Sequence, residues 1–157
     1  MQRNMVIFFP KKITAFLKMD WLRLYFSKNL SEKPRFENLQ KDIYAKVISV
    51  YDGDTFTIAM IHNRQIVRRR CRCIGYDSPE IKGSGDEEKK RAIAAKLFIE
   101  AYLPKNIFRL QTYGSDKYGR LLVDYKQRGK SLKDVMIENG HGYEYYGGKK
   151  KIQIIVE

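Results

Sequence analysis

The chain has 157 residues, 43% hydrophobic and 13% aromatic, enough for one core of ordinary size with room for a modest extension. Thirty-one Lys and Arg against 18 Asp and Glu leave a formal charge of +13, which points to a polyanionic partner, either nucleic acid or an acidic membrane surface. The two cysteines, Cys71 and Cys73, alternate on one strand and suit small buried apolar positions in a reducing compartment, not a disulfide with each other. His62 and His141 lack zinc spacing and propose no histidine-based catalysis.

Residues 1–40 carry eight basic and three acidic side chains. Ile13, Phe16, Leu17, Trp21, Leu24 and Tyr25 recur there at helical spacing, with Lys12, Lys18 and Arg23 between them, so an amphipathic basic helix is expected. It either packs on the domain or makes a peripheral membrane or protein contact through residues 1–30. Met5–Phe9 is too short for a signal-peptide core, and Pro10-Lys11-Lys12 interrupts it before any membrane-spanning length. An intracellular, cytoplasmic location is therefore expected. Ser31–Asp42, with Pro34, reads as a linker that closes an extension over 1–42.

From Tyr44 the pattern becomes β. Ala45–Val50 and Thr55–Met60 are rich in β-branched and aromatic residues, with Asp52-Gly53-Asp54 as the turn between them. After His62-Asn63, Gln65–Ile74 completes a three-strand meander in which Arg72 faces away from Cys71 and Cys73. Ile81–Gly85 reads as a loop. A helix from Asp86 to about Tyr102 has an acidic first turn and a buried stripe of Ala92, Ile93, Ala95, Leu97, Phe98 and Ala101. Ile107–Thr112 and Leu121–Tyr125 read as two further strands, and Leu132–Glu138 as a helix stopped by Asn139-Gly140. Residues 148–157 read as a short basic tail, and the chain shows no internal repeats.

Two short segments concentrate acid in this basic chain: Asp52 and Asp54, then Asp77 and Glu80 about twenty residues later. Carboxylates at close quarters are tolerated when a hard cation shares them, and an oxygen-only set suits calcium or magnesium better than zinc. Each segment alone also has a plain structural reading, as a hairpin turn or as a cap before a helix.

Three motifs in order, Asp52-Gly-Asp-Thr55, Arg72 followed at the fifth position by Asp77-Ser-Pro-Glu80, and Asp116-Lys-Tyr-Gly-Arg120, resemble the staphylococcal nuclease (thermonuclease) family over roughly residues 43–147. The resemblance implies an α+β, mainly β fold, a five-stranded OB-type barrel with two to three packed helices. It implies Ca2+ as cofactor, held by Asp54, Asp77 and the main-chain carbonyl of Ser78. It gives Glu80 the role of general base, and Arg72 and Arg120 that of phosphate clamp. Lys117, Tyr118 and Tyr146 would flank the bound nucleotide.

The implied activity is a calcium-dependent nuclease of low sequence specificity. It would act on DNA and RNA, preferably single-stranded, leave 3′-phosphate ends and work as a monomer. Chemistry asks for the same residue types: an anionic diester repels hydroxide until a cation and planar guanidinium forks neutralise it. A nucleic-acid-binding or scaffold module of the same fold without catalysis is the competing expectation. Tyr143, Tyr145 and Tyr146 serve either as base-stacking surfaces or as barrel packing.

Overall fold

The computed structural model describes residues 41–82 and 85–147. The expected amphipathic helix before residue 40 and the basic tail from 148 lie outside the described residues. Strand β1 spans Asp42–Val50, so Asp42 belongs to the sheet and not to the linker. It is followed by β2, Thr55–His62, and β3, Gln65–Cys73. Asn63 and Arg64 join β2 to β3 with φ of 48° and 62°, the left-handed pair that a two-residue hairpin with right-handed strand twist requires.

A two-residue strand β4, Tyr76–Asp77, then leads to helix α1, Asp86–Tyr102. Strands β5, Phe108–Ser115, and β6, Leu121–Asp124, follow. A small ribbon, β7 Lys126–Gln127 and β8 Lys130–Ser131, precedes helix α2, Leu132–Glu138, and β9, Tyr143–Glu144.

The sheet closes into a five-stranded barrel in the order β1-β2-β3-β6-β5, with β5 returning to β1. All barrel pairings are antiparallel except β3 with β6, where Cys71, Arg72 and Cys73 align with Leu121, Leu122 and Val123. A parallel pair needs a long crossover, and the segment carrying α1 and β5 supplies it. Alternation sends Phe56, Ile58 and Met60 of β2, and Val67, Cys71 and Cys73 of β3, into the core. Both cysteines are free and buried. Burial holds both thiols well above their ordinary value, so they behave as the small neutral side chains expected of them.

Helix α1 has the expected limits but a narrower buried face. Ala92, Ala95 and Ile99 are buried, with Phe98 half-buried beside them. Ile93 and Leu97 are 43% and 59% exposed, and Ala101 is also exposed. An apolar list compatible with helical spacing covers more than one face, whereas a helix lying on a small barrel presents only one stripe to it. The small residues on that stripe have a purpose. A Cβ added at Gly53 would lie 2.7 Å from Ala95 Cβ and 2.8 Å from Ser78 Cβ, so the helix presses directly on the β1–β2 turn.

Helix α2 begins with a reciprocal capping box between Ser131 and Asp134, and Asp124 Oδ1 accepts a further bond from the Leu132 N–H at 3.1 Å. Asn139 caps its end and Gly140 adopts φ +70°, as Asn-Gly there predicts. Among the described residues no helix is long and apolar enough to cross a membrane.

The close approach at Gly53 makes Gly53→Ala a sensitive probe. Overpacking of this kind costs about 1–3 kcal/mol, and the variant should show a lower denaturant midpoint with an unchanged m-value.

Candidate functional site

The β1–β2 turn is held by its own backbone. The N–H groups of Tyr51 and Asp52 donate to Thr55 O at 2.9 and 3.3 Å, and Asp54 N–H donates to Asp52 Oδ1 at 3.2 Å. Cys73 N–H donates to Asp54 O at 2.8 Å, tying the turn to the end of β3. Asp54 is thereby drawn inside to 1% exposure. Its Oδ1 accepts from the Thr55 hydroxyl at 2.9 Å, and its Oδ2 from Ser78 N–H and Oγ at 2.9 and 3.0 Å.

Asp77 is also buried, on β4, where pairing with β9 sets it opposite Tyr143. The Tyr143 hydroxyl donates to Asp77 Oδ2 at 2.8 Å. A second tyrosine, Tyr76, is buried and donates from its hydroxyl to Gly53 O at 2.8 Å, locking β4 against the turn. Gly142 permits this arrangement, because a Cβ there would meet the Tyr76 ring at 2.8 Å.

Arg72 joins the two acidic segments. Its Nη1 pairs with Asp54 Oδ1 and its Nη2 with Asp77 Oδ1, and Nη2 also donates to Tyr76 O at 3.3 Å. One guanidinium is therefore shared by two buried carboxylates that lie 23 positions apart in the chain. Burial pushes the Asp54 carboxyl up to about 7, with Arg72 and the bonds from Ser78 and Thr55 pulling against it. Burial would lower Arg72, but the charges of Asp54 and Asp77 outweigh it and hold the guanidinium above its ordinary value. The arginine stays cationic, and the carboxyl is the member of the pair that titrates.

Among the described residues, no three His, Cys, Asp or Glu side chains gather closely enough to hold a metal ion. Asp54 and Asp77 nevertheless offer hard oxygen donors to a common cation, and the Arg72 guanidinium is the cation they share in this structure. The pair fits a divalent ion that completes its shell with main-chain carbonyl and water oxygens. Ser78 contacts the site as a donor, through its amide and hydroxyl.

The other expected residues are brought together in part. Glu80 is exposed, three residues beyond Asp77. Arg120 precedes β6, and continuing the β3–β6 register by one residue sets it beside Arg70, diagonal to Arg72 on the outer face. Its Nε donates to Asp116 Oδ2 at 2.7 Å, while Asp116 Oδ1 accepts the N–H groups of Tyr118 and Arg120, both at 2.9 Å. The Tyr118 ring is 72% exposed and carries Lys117 Nζ at 5.0 Å and the Arg120 guanidinium at 5.6 Å from its centroid. Tyr146 is 76% exposed. Its hydroxyl accepts from Lys133 Nζ at 3.3 Å, on a cleft lined by Ile74, Gly75 and Ser131.

Tyr76 is a site residue that sequence reasoning missed, and Tyr143 and Thr55, named there as a stacking or packing residue and as part of a motif, were not expected to bond the carboxylates. Only the β4–β9 pairing brings Tyr143 to Asp77, and no local motif announces it. Thr55 lies inside the Asp-Gly-Asp-Thr motif, and its hydroxyl beside Asp54 was the available signal. No known family model matches the chain, and no curated protein is found to match it.

Two outcomes follow. In chelator, Asp54 has a folded value near 7 against an ordinary 3.8. Its contribution to stability is full below about pH 4 and declines as pH rises through 7. Denaturation at pH 5, 6.5 and 8 should therefore show wild type losing stability relative to Asp54→Asn as pH increases. Arg72→Leu leaves two buried carboxylates without their cation and should lower unfolding free energy at neutral pH by about 3–5 kcal/mol.

Proposed function

We propose that the chain is a metal-dependent phosphodiesterase of the nuclease class, built on an OB-type barrel and acting on single-stranded DNA and RNA with little sequence preference. The single observation that carries this reading is the Arg72 bridge between Asp54 and Asp77, with Arg120 immediately before the strand β6 that pairs with β3. Two carboxylates and two guanidiniums at one end of a basic barrel are the groups that diester hydrolysis demands.

In this reading Asp54 and Asp77 would hold a calcium ion, whose chemistry would be Lewis-acid neutralisation of the diester, and Arg72 would serve the phosphate. Arg120, whose guanidinium Asp116 engages through Nε, offers its Nη groups to the same phosphate as a planar fork. Their grip strengthens as charge grows on the equatorial oxygens, which makes the contact catalytic and not merely adhesive. Glu80, exposed beside the stiffening Pro79, takes a proton from the attacking water. The 5′ oxygen leaves, and the product ends in a 3′-phosphate. Tyr118, Lys117 and Tyr146 flank the nucleotide.

One feature favours a second reading. Every oxygen of Asp54 and Asp77 already has a protein partner, so a barrel that never exchanges Arg72 for a metal would bind nucleic acid without cutting it.

Incubation of the full chain with labelled single-stranded DNA in calcium and in EDTA distinguishes the two. Shortening of the strand in calcium alone is expected, and retained binding with no cleavage in either condition would replace the first reading by the second. Glu80→Gln should lower turnover by about 10²-fold or more while leaving oligonucleotide affinity unchanged. Arg120→Lys should also lose most turnover, because an ammonium cannot form the fork.

A further inference from the structure

Strand β3 carries more arginine than the site uses. Alternation puts Arg68, Arg70 and Arg72 on its outer face, since Val67, Cys71 and Cys73 point inward. Arg72 is neutralised by Asp54 and Asp77, whereas Arg68 and Arg70 have no ion-pair partner among the described residues. Arg68 Nε is in addition buried and without a hydrogen-bond partner. Arg70 is exposed, and its guanidinium lies 5.2 Å from the centroid of the Tyr51 ring, itself 47% exposed. Tyr51 immediately precedes the Asp52-Gly53-Asp54 turn, and Arg120 lies beside Arg70 across the β3–β6 register.

From these placements we propose that Arg70 and Tyr51, continued by Arg68, form a subsite for a single-stranded polynucleotide leading away from the Arg72 phosphate along β3. The proposal rests on the polynucleotide-binding half of the function above and extends it beyond the scissile phosphate. Alternate residues of a strand stand roughly 6.6–6.8 Å apart. Six covalent bonds separate successive phosphorus atoms of an extended strand and cover a similar span. The guanidiniums of Arg72, Arg70 and Arg68 can therefore meet consecutive phosphates. Tyr51 gives the intervening base a face to stack on, and Arg70 is already ordered over that ring. Charge without an internal partner, beside an exposed aromatic, fits a polyanion that carries planar bases.

The test uses the full chain in EDTA, so that binding is read without hydrolysis. Fluorescein-labelled oligothymidylates of two and twelve nucleotides are titrated by anisotropy between 50 and 200 mM salt, as concentrations chosen about the range in which phosphate contacts dominate. Arg70→Gln should weaken binding of the twelve-mer about tenfold and reduce the salt slope by about 0.7, while leaving the dinucleotide unaffected. Tyr51→Leu should weaken the twelve-mer about tenfold with the slope unchanged. Both side chains are exposed, and equal thermal midpoints confirm intact folding.

Wild-type affinity of both variants for the twelve-mer would overturn the proposal. An equal loss on heparin with no effect of Tyr51→Leu would do the same, revealing a generic polyanion patch. Loss by Arg70→Gln of binding to phosphatidylserine vesicles, with oligonucleotide binding intact, would assign the surface to a membrane and also overturn it. The expected losses in a chain that never cuts DNA would uphold the subsite and reject the nuclease reading. Cleavage of long strands unaltered by either variant would reject the subsite alone.

Discussion

A single guanidinium between two buried carboxylates is the constraint around which this barrel is arranged. Two adjacent anions excluded from water are sustained only if a cation is held between them, and Arg72 is that cation. Its position on β3 is dictated by the period of two, which turns it away from the cysteines that fill the core. Asp54 is brought to it by the β1–β2 turn, and Asp77 by the short β4 strand. Ser78 and Tyr143 occupy the carboxylate oxygens that Arg72 leaves, and the Thr55 hydroxyl shares Asp54 Oδ1 with it. The result is a fully hydrogen-bonded cluster, which is the condition under which buried polar groups are tolerated.

The surrounding fold serves this cluster by close approach. Helix α1 contributes Ala95 against Gly53, so that the helix reaches the turn without a side chain between them. Tyr76 spans from β4 to the same turn with its hydroxyl. The parallel β3–β6 pair delivers Arg120 to the outer face beside Arg70, a neighbour far away in the chain. The Asp116–Arg120 loop is ordered within itself, because one aspartate accepts two backbone N–H groups and the arginine of its own segment. The guanidinium is thus held by its own segment, which lowers the entropy cost of any further contact it makes.

Charge is graded over this end of the barrel. Arg72 is neutralised and mostly buried, Arg120 is half-exposed with a single aspartate partner, and Arg70 faces solvent against an aromatic ring. A net charge of +13 favours anions in general, whereas an ordered guanidinium presents a fixed, planar set of donors.

Much of this arrangement was legible before any coordinates. Strand alternation fixed the opposite facings of Arg72 and the cysteines, Asp-Gly-Asp and Asn-Gly marked the turn and the end of α2, and the acidic first turn located α1 within a residue. These are local properties, governed by dihedral preference and side-chain period. The face that α1 buries was misjudged, since Ile93 and Leu97 are exposed, because periodicity tells which residues share a side and not how wide a neighbour covers it. Tyr143 at Asp77, Arg120 beside Arg70, and the sharing of one guanidinium by both acidic segments were invisible for a related reason. Each depends on pairing between segments distant along the chain, and such pairing is selected by how the whole barrel closes and excludes water, not by any residue's own neighbours.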